Sequence, residues 1–132
     1  MKHEDKELLL RDLCARLPYG VKCQIKGEED FKPLKLKSFI QGEGFCAFDF
    51  DIKENLSLSF KQLDGFKPYL FPLSNMTKEQ YNEFIDMGYS VTERWWSMAN
   101  YHQIDWCNKN HFDYRGLIEK GLAIDCTNLN IY

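Results

Sequence analysis

The sequence predicts an α+β fold: an N-terminal helix, a four-stranded antiparallel meander forming a curled sheet or partial barrel, and two C-terminal helices packed on it. Three observations carry this reading. An apolar stripe at helical spacing precedes residue 18, four segments of strict alternation follow between residues 21 and 60, and two capping boxes stand in the second half.

The first helix is expected over 5–17. Leu9, Leu10, Leu13, Cys14 and Leu17 recur at three- and four-residue intervals as one apolar stripe, with Arg11, Asp12, Ala15 and Arg16 assigned elsewhere on the wheel. Pro18 ends it, because proline disfavours helical geometry in the residue before it and lacks an amide proton. Period two then takes over. Val21, Cys23 and Ile25 alternate with Lys22, Gln24 and Lys26, and Leu34 and Leu36 with Lys35 and Lys37. Cys46, Phe48 and Phe50 alternate with Ala47 and Asp49, and Leu56, Leu58 and Phe60 with Ser57 and Ser59. The connections at 27–30, 42–44 and 51–55 are short and turn-rich, so neighbouring strands run antiparallel.

Residues 63–73 carry Phe66, Tyr69, Leu70 and Phe71 between Gly65, Pro68 and Pro72. They read as a proline-punctuated strap across the core, because flexible linkers lack aromatics. Thr77-Lys78-Glu79-Gln80 is a capping box with Met76 and Tyr81 at the staple positions; Tyr81, Phe84 and Ile85 form the apolar side of the helix and Gly88 closes it. Ser90-Val91-Thr92-Glu93 opens another helix to about residue 108, with Trp95, Trp96, Met98, Ala99, His102 and Trp106 on one broad face. The tail has a loop around Tyr114-Arg115-Gly116 and a short strand expected at 122–124.

With 132 residues, 44% hydrophobic and 15% aromatic, the chain has the material for a single domain over 1–132. A chain of this size buries roughly two thirds of its unfolded surface. Seventeen Lys and Arg against twenty Asp and Glu, net −3, argue against binding driven by bulk positive charge. The mixed-charge start, Met1-Lys2-His3-Glu4-Asp5, is not a secretory signal, and the uncharged stretches 68–77 and 95–104 are too short to span a bilayer. Cys14, Cys23, Cys46, Cys107 and Cys126 are odd in number and lack a Cys-x-x-Cys pair, which fits neither a disulfide framework nor a zinc ribbon. The expectation is a cytoplasmic protein with reduced thiols, Cys14 and Cys23 filling the core, and neither membrane association nor a cofactor.

Asn110-His111-Phe112-Asp113-Tyr114-Arg115-Gly116 is the densest polar and aromatic stretch in an expected loop, so His111, Asp113, Tyr114 and Arg115, with Trp106, are the candidate binding residues. Arg115 has the fork geometry for a carboxylate or phosphate. The competing structural reading pairs Asp113 with Arg115 locally and uses Phe112 and Tyr114 to pin the tail. Cys107 and His111, four residues apart, suggest a nucleophile and base, but no oxyanion-hole turn surrounds Cys107. With His102 they fall short of a convergent metal set, and His102 is expected as a hydrogen-bonded core histidine. Lys22, Lys26, Lys35 and Lys37 form a basic stripe suited to phosphates or, more simply, to a solvated face. No Walker loop, dinucleotide glycine fingerprint or His-Glu-x-x-His occurs.

Three blocks carry a resemblance: Leu8-Leu9-Leu10-Arg11-Asp12-Leu13-Cys14-Ala15-Arg16-Leu17-Pro18-Tyr19-Gly20-Val21, then Lys67-Pro68-Tyr69-Leu70-Phe71-Pro72-Leu73-Ser74-Asn75-Met76-Thr77, and His111-Phe112-Asp113-Tyr114-Arg115-Gly116-Leu117-Ile118 with Lys120-Gly121-Leu122-Ala123. In this order they resemble an uncharacterised family of small proteins of gut anaerobic bacteria and their phages or mobile elements. That family's pattern has proline after the Leu-Ile pair, where Glu119 stands here. The resemblance implies an intracellular, phage- or mobile-element-linked setting and no activity or cofactor.

The leading expectation is a non-catalytic protein-interaction or accessory module, because the aromatics exceed what one core needs and Trp and Tyr are favoured interface anchors. The alternatives are a nucleic-acid-binding module using the lysine face and a small-ligand binder or enzyme near Cys107 and His111.

Overall fold

The computed structural model describes residues 2–25, 33–42, 45–50, 56–59, 63, 65–87 and 101–132. Lys26, Phe60 and Gly88, the turns at 27–30 and 51–55, residues 43–44 of the turn between them, the capping box at 90–93 and Trp95, Trp96, Met98 and Ala99 lie outside the described residues.

Helix α1 spans His3–Arg16 and runs into a 3-10 turn, Leu17–Tyr19, that contains the expected proline. Gly20 then takes a left-handed φ of 68°, which glycine adopts without steric cost, and the chain turns into the sheet. The buried face of α1 consists of Leu9, Leu10, Asp12, Leu13 and Arg16. Two expectations change here. Cys14 is exposed rather than core filler, and Asp12 and Arg16 are wholly buried rather than turned aside. The buried positions are spaced i, i+3, i+4, i+7 from Leu9, so the stripe is rotated toward the two charged residues, which pair with each other.

The four expected strands are present as β1 (Lys22–Ile25), β2 (Leu34–Gly42), β3 (Phe45–Phe50) and β4 (Leu56–Ser59). Each pairs antiparallel with the next, with Lys22 opposite Lys35, Phe39 opposite Phe48 and Phe48 opposite Leu56. The register of β2 on β3 shifts between Leu36 and Ser38, which places Lys37 in a bulge. Alternation puts Cys23, Ile25, Leu34, Leu36, Phe48 and Phe50 inside with Leu9, Leu10 and Leu13 of α1. Burying each such Leu, Ile or Phe side chain contributes about 1.5–3 kcal/mol.

The proline-rich stretch is a correction. Residues Phe66–Pro72 are not a strap but strand β5, antiparallel to β1 with Ile25 opposite Phe66 and Cys23 opposite Pro68. Its other edge pairs in parallel with two short strands, β6 (Phe112–Asp113) beside Phe71 and Pro72, and β7 (Ile124–Asp125) beside Tyr69 and Leu70. Pro68 is tolerated because β7 pairs only from Tyr69 onward, which leaves β5 a one-sided edge at the proline. Among the described residues the sheet is open and mixed, in the order β4-β3-β2-β1-β5-β6, with β7 also on β5.

Helices α2 (Lys78–Asp86) and α3 (Tyr101–Lys109) meet the β5–β6 end of the sheet through a second core of Phe84, Trp106, Cys107 and Phe112, flanked by Phe71, Leu73, Met76 and Ile85. Trp106 stacks on Phe112 at 5.5 Å and 7°, and the edge of Phe84 meets Trp106 at 5.6 Å. The capping box of α2 is complete: the Gln80 amide donates to Thr77 Oγ1 at 3.1 Å and the Thr77 amide to Gln80 Oε1 at 2.9 Å. Thr77→Ala removes a partner from an orphan amide, and the expected loss is about 1 kcal/mol. Urea denaturation followed by circular dichroism measures it, with Thr77→Ser as the variant that retains stability.

Candidate functional site

The first and third sequence blocks converge where α1, the end of α3 and β6 meet. Asp12 and Arg16, one helical turn apart, form an ion pair at 2.8 Å with both side chains fully buried. Arg16 Nη2 donates to the Phe112 carbonyl at 2.6 Å and Nη1 to the Cys107 carbonyl at 3.4 Å. Its guanidinium therefore ties the first helix to a carbonyl near the C-terminus of α3, the negative end of that helix's dipole. The other Asp12 oxygen faces Arg115 Nε at 3.2 Å, close enough for charge pairing though not aligned as a hydrogen bond. Tyr114 sits between the two cations: Arg16 and Arg115 lie 5.4 and 5.0 Å from its ring centre, and Arg115 Nη2 donates to its hydroxyl at 3.1 Å.

Arg115 does pair with a carboxylate, that of Asp12, but through Nε alone rather than as a two-pronged fork, its Nη2 being turned to the Tyr114 hydroxyl. The expected local pair with Asp113 is not formed. Asp113 instead accepts the amide protons of Leu117 and Ile118, each at 2.9 Å, and so fixes the loop that presents Arg115. Both charges of the 113–115 stretch are thereby consumed inside the fold, with Arg115 retaining 21% side-chain exposure.

His111, just after the end of α3, takes a left-handed φ of 62°, and its carbonyl accepts from the Phe71 amide at 2.8 Å. Its ring stacks on Tyr132 at 3.6 Å and 9°. The Tyr132 hydroxyl accepts from the Lys22 amide at 2.8 Å and donates to the Tyr69 carbonyl at 2.9 Å. Lys22 Nζ donates to the Ile131 carbonyl at 2.8 Å and lies 5.7 Å from the Tyr132 ring centre. Tyr132 is 42% exposed as a residue, and the burial of its phenol among these groups pushes it above the ordinary range.

Burial, then the Arg16 and Lys22 charges, lower His111 to about 4, so its imidazole is neutral at pH 7. Between pH 6.5 and about 4 the unfolded chain binds a proton that the folded chain refuses, so this group makes stability fall as pH falls through that window. The expected loss by pH 4 is up to about 3 kcal/mol. Arg16 from α1, Lys22 from β1 and the phenol ring of Tyr132 face this imidazole. His111→Asn, which keeps a residue tolerant of left-handed φ, should flatten the urea midpoint between pH 7 and 4.5 relative to the parent.

Cys107 and His111 are not joined by a hydrogen bond. Cys107 is fully buried, and burial pushes its thiol up to about 12, the nearby Arg16 offsetting only part of this. Such a thiol is a poor nucleophile at neutral pH. Among Cys14, Cys23, Cys107 and Cys126, Cys14 is exposed, so it should be alkylated first at pH 7.5, and rapid modification of Cys107 would revive a catalytic role. Among the described residues no group of three or more His, Cys, Asp or Glu is placed to hold a metal ion. No helix among them is long and apolar enough to cross a membrane.

His102 is exposed rather than a core histidine. It lines a groove of about 320 Å³ with Tyr19, Met87, Asp105, Trp106 and Lys109. His102, Asp105, Trp106 and Lys109 share one face of α3, and Tyr19 comes from the turn after α1. Tyr101, 72% exposed, lies beside the groove with its ring 4.1 Å from that of His102. Of the lysine stripe, Lys35 and Lys37 are exposed, Lys22 is engaged by Ile131 and Tyr132, and Lys67 adds a fourth position opposite Gln24.

Asp12, Arg16, Tyr19 and Tyr132 were not among the sequence candidates. For Asp12 and Arg16 the signal was present, since they continue the spacing of Leu9 and Leu13 on the wheel; for Tyr19 and Tyr132 nothing local marks the role. Compared with protein-family models, curated proteins and solved structures, the chain matches none of them.

Proposed function

We propose that this chain is a non-catalytic intracellular protein-interaction module, an accessory protein in a phage or mobile-element setting, that docks its partner along the exposed face of α3. The observation that carries the reading is the groove: an aromatic and thioether floor from Trp106, Tyr19 and Met87, rimmed by His102, Asp105 and Lys109, with Tyr101 standing outside it. Apolar area with a few charged groups at its edge is how interface hot spots are built. The candidate residues Asp113, Tyr114 and Arg115 belong in this reading to the supporting structure beside α3, whereas Trp106, buried in the second core, also lines the groove. The test is retention of host proteins by the tagged chain after nuclease treatment, compared with a Tyr101→Ser/Lys109→Glu variant. A partner lost from the variant supports the reading; partners held equally by the parent chain and the variant remove α3 as the docking face.

A second reading, a nucleic-acid-binding module, is favoured by the placement of Lys22 opposite Lys35 and of Lys37 in the β2 bulge, on the sheet face that also carries Lys67. It predicts binding of a fluorescent oligothymidylate that weakens steeply with salt and is lost in Lys37→Glu/Lys67→Glu. Absence of binding at low salt removes it.

A further inference from the structure

The segment after β7 is held at two points. The Cys126 amide donates to the Leu70 carbonyl at 3.0 Å, and Tyr132 occupies the slot made by His111, Lys22, Tyr69 and Phe71. Between these anchors Asn128, Leu129 and Asn130 are exposed, and Asn130 takes a left-handed φ of 51°. The slot is specific in its chemistry. A planar ring is gripped by the His111 face and approached by Lys22 Nζ and by Phe71 at 6.1 Å, and its hydroxyl joins one donor on β1 to one acceptor on β5. Both of those hydrogen-bonding groups belong to the sheet backbone and stay in place if the segment leaves. His111 Nδ1 is buried there with no hydrogen-bond partner.

We propose that this is an exchangeable tyrosine-binding slot: Tyr132 fills it within its own chain and, when that segment is withdrawn, the slot accepts the Ile131–Tyr132 segment of a second copy. A swapped segment makes the same contacts in either arrangement, so exchange forfeits no interaction, and the exposed stretch Asn128, Leu129 and Asn130 before Tyr132 is where the chain would change course. Within one chain the segment competes at an effective concentration on the order of millimolar, so the unaltered chain keeps its own tyrosine at ordinary concentrations.

The experiment separates slot from segment in two full-length variants. Tyr132→Ala retains the slot and lacks its occupant; His111→Asn retains the occupant and lacks the stacking face. Each alone should sediment as a monomer, and an equimolar mixture should show a heterodimer. A peptide of the sequence Thr-Asn-Leu-Asn-Ile-Tyr should bind Tyr132→Ala at least about tenfold more tightly than it binds the parent chain. A mixture that stays monomeric while both variants are folded by circular dichroism, or a peptide that binds both chains equally, overturns the proposal. If Tyr132→Ala does not fold, hydrogen exchange on the parent decides. A Lys22 amide exchanging at least about tenfold faster than that of Leu13 supports segment release short of unfolding, and one exchanging only with the core overturns it.

Discussion

Asp12→Ala is expected to destabilise the protein by about 3–5 kcal/mol, because it strands the fully buried Arg16 guanidinium without its carboxylate and deprives Arg115 of its counter-charge. Domains of this size typically hold only about 5–15 kcal/mol in total, so the variant should be partly unfolded at 37 °C. Two carbonyls, of Cys107 and Phe112, still accept from Arg16, but neither neutralises it. The double replacement Asp12→Leu/Arg16→Met removes both buried charges together. It should recover more than half of the loss, since apolar groups of similar volume often replace a buried pair at little cost. Urea denaturation at pH 7 of the two singles and the double gives the coupling. A single Asp12→Ala costing under 1 kcal/mol would mean that water reaches the pair.

Phe66→Ala is the second large effect, at about 3–5 kcal/mol. Phe66 is fully buried, stacks on Phe48 at 4.8 Å, lies 5.5 Å from Phe50, and sits opposite Ile25 in the ladder. It is therefore the point at which β5 joins the core of the meander, and its removal leaves a cavity between three strands that the stiff sheet closes only in part. Phe71→Ala, at a half-buried position five residues along the same strand, should cost clearly less. Equal losses at the two positions would contradict this placement of the core. Thermal or urea midpoints of the two variants, measured together, suffice.

The two effects differ in how visible they were. The alternation that places Phe48 and Phe50 inside, the helical stripe of Leu9, Leu10 and Leu13, the capping box at Thr77 and the antiparallel order of the first four strands were all legible, because each rests on residues within a few positions of one another. Strand β5 was not, because Pro68 and Pro72 deny it the marks of a strand, and its right to be one depends on where β6 and β7 begin along its edge. His111, Asp113, Tyr114 and Arg115 were marked by composition, but their partners were not: Arg115 finds Asp12 rather than Asp113, and His111 finds Tyr132.

By itself the sequence determined an α+β fold with an N-terminal helix, an antiparallel meander and helices after it, since hydrophobic periodicity and capping act over single turns and strands. Tertiary structure alone decided that Asp12 and Arg16 go inside, that β5 joins the sheet, that Cys107 is buried and that Tyr132 closes a slot between β1 and β5. Those outcomes rest on contacts such as Arg16 with Phe112 and Lys22 with Tyr132, which lie 96 and 110 positions apart. A buried charge or a proline in a strand is stable only when a distant partner satisfies it, and no local pattern of residues names that partner.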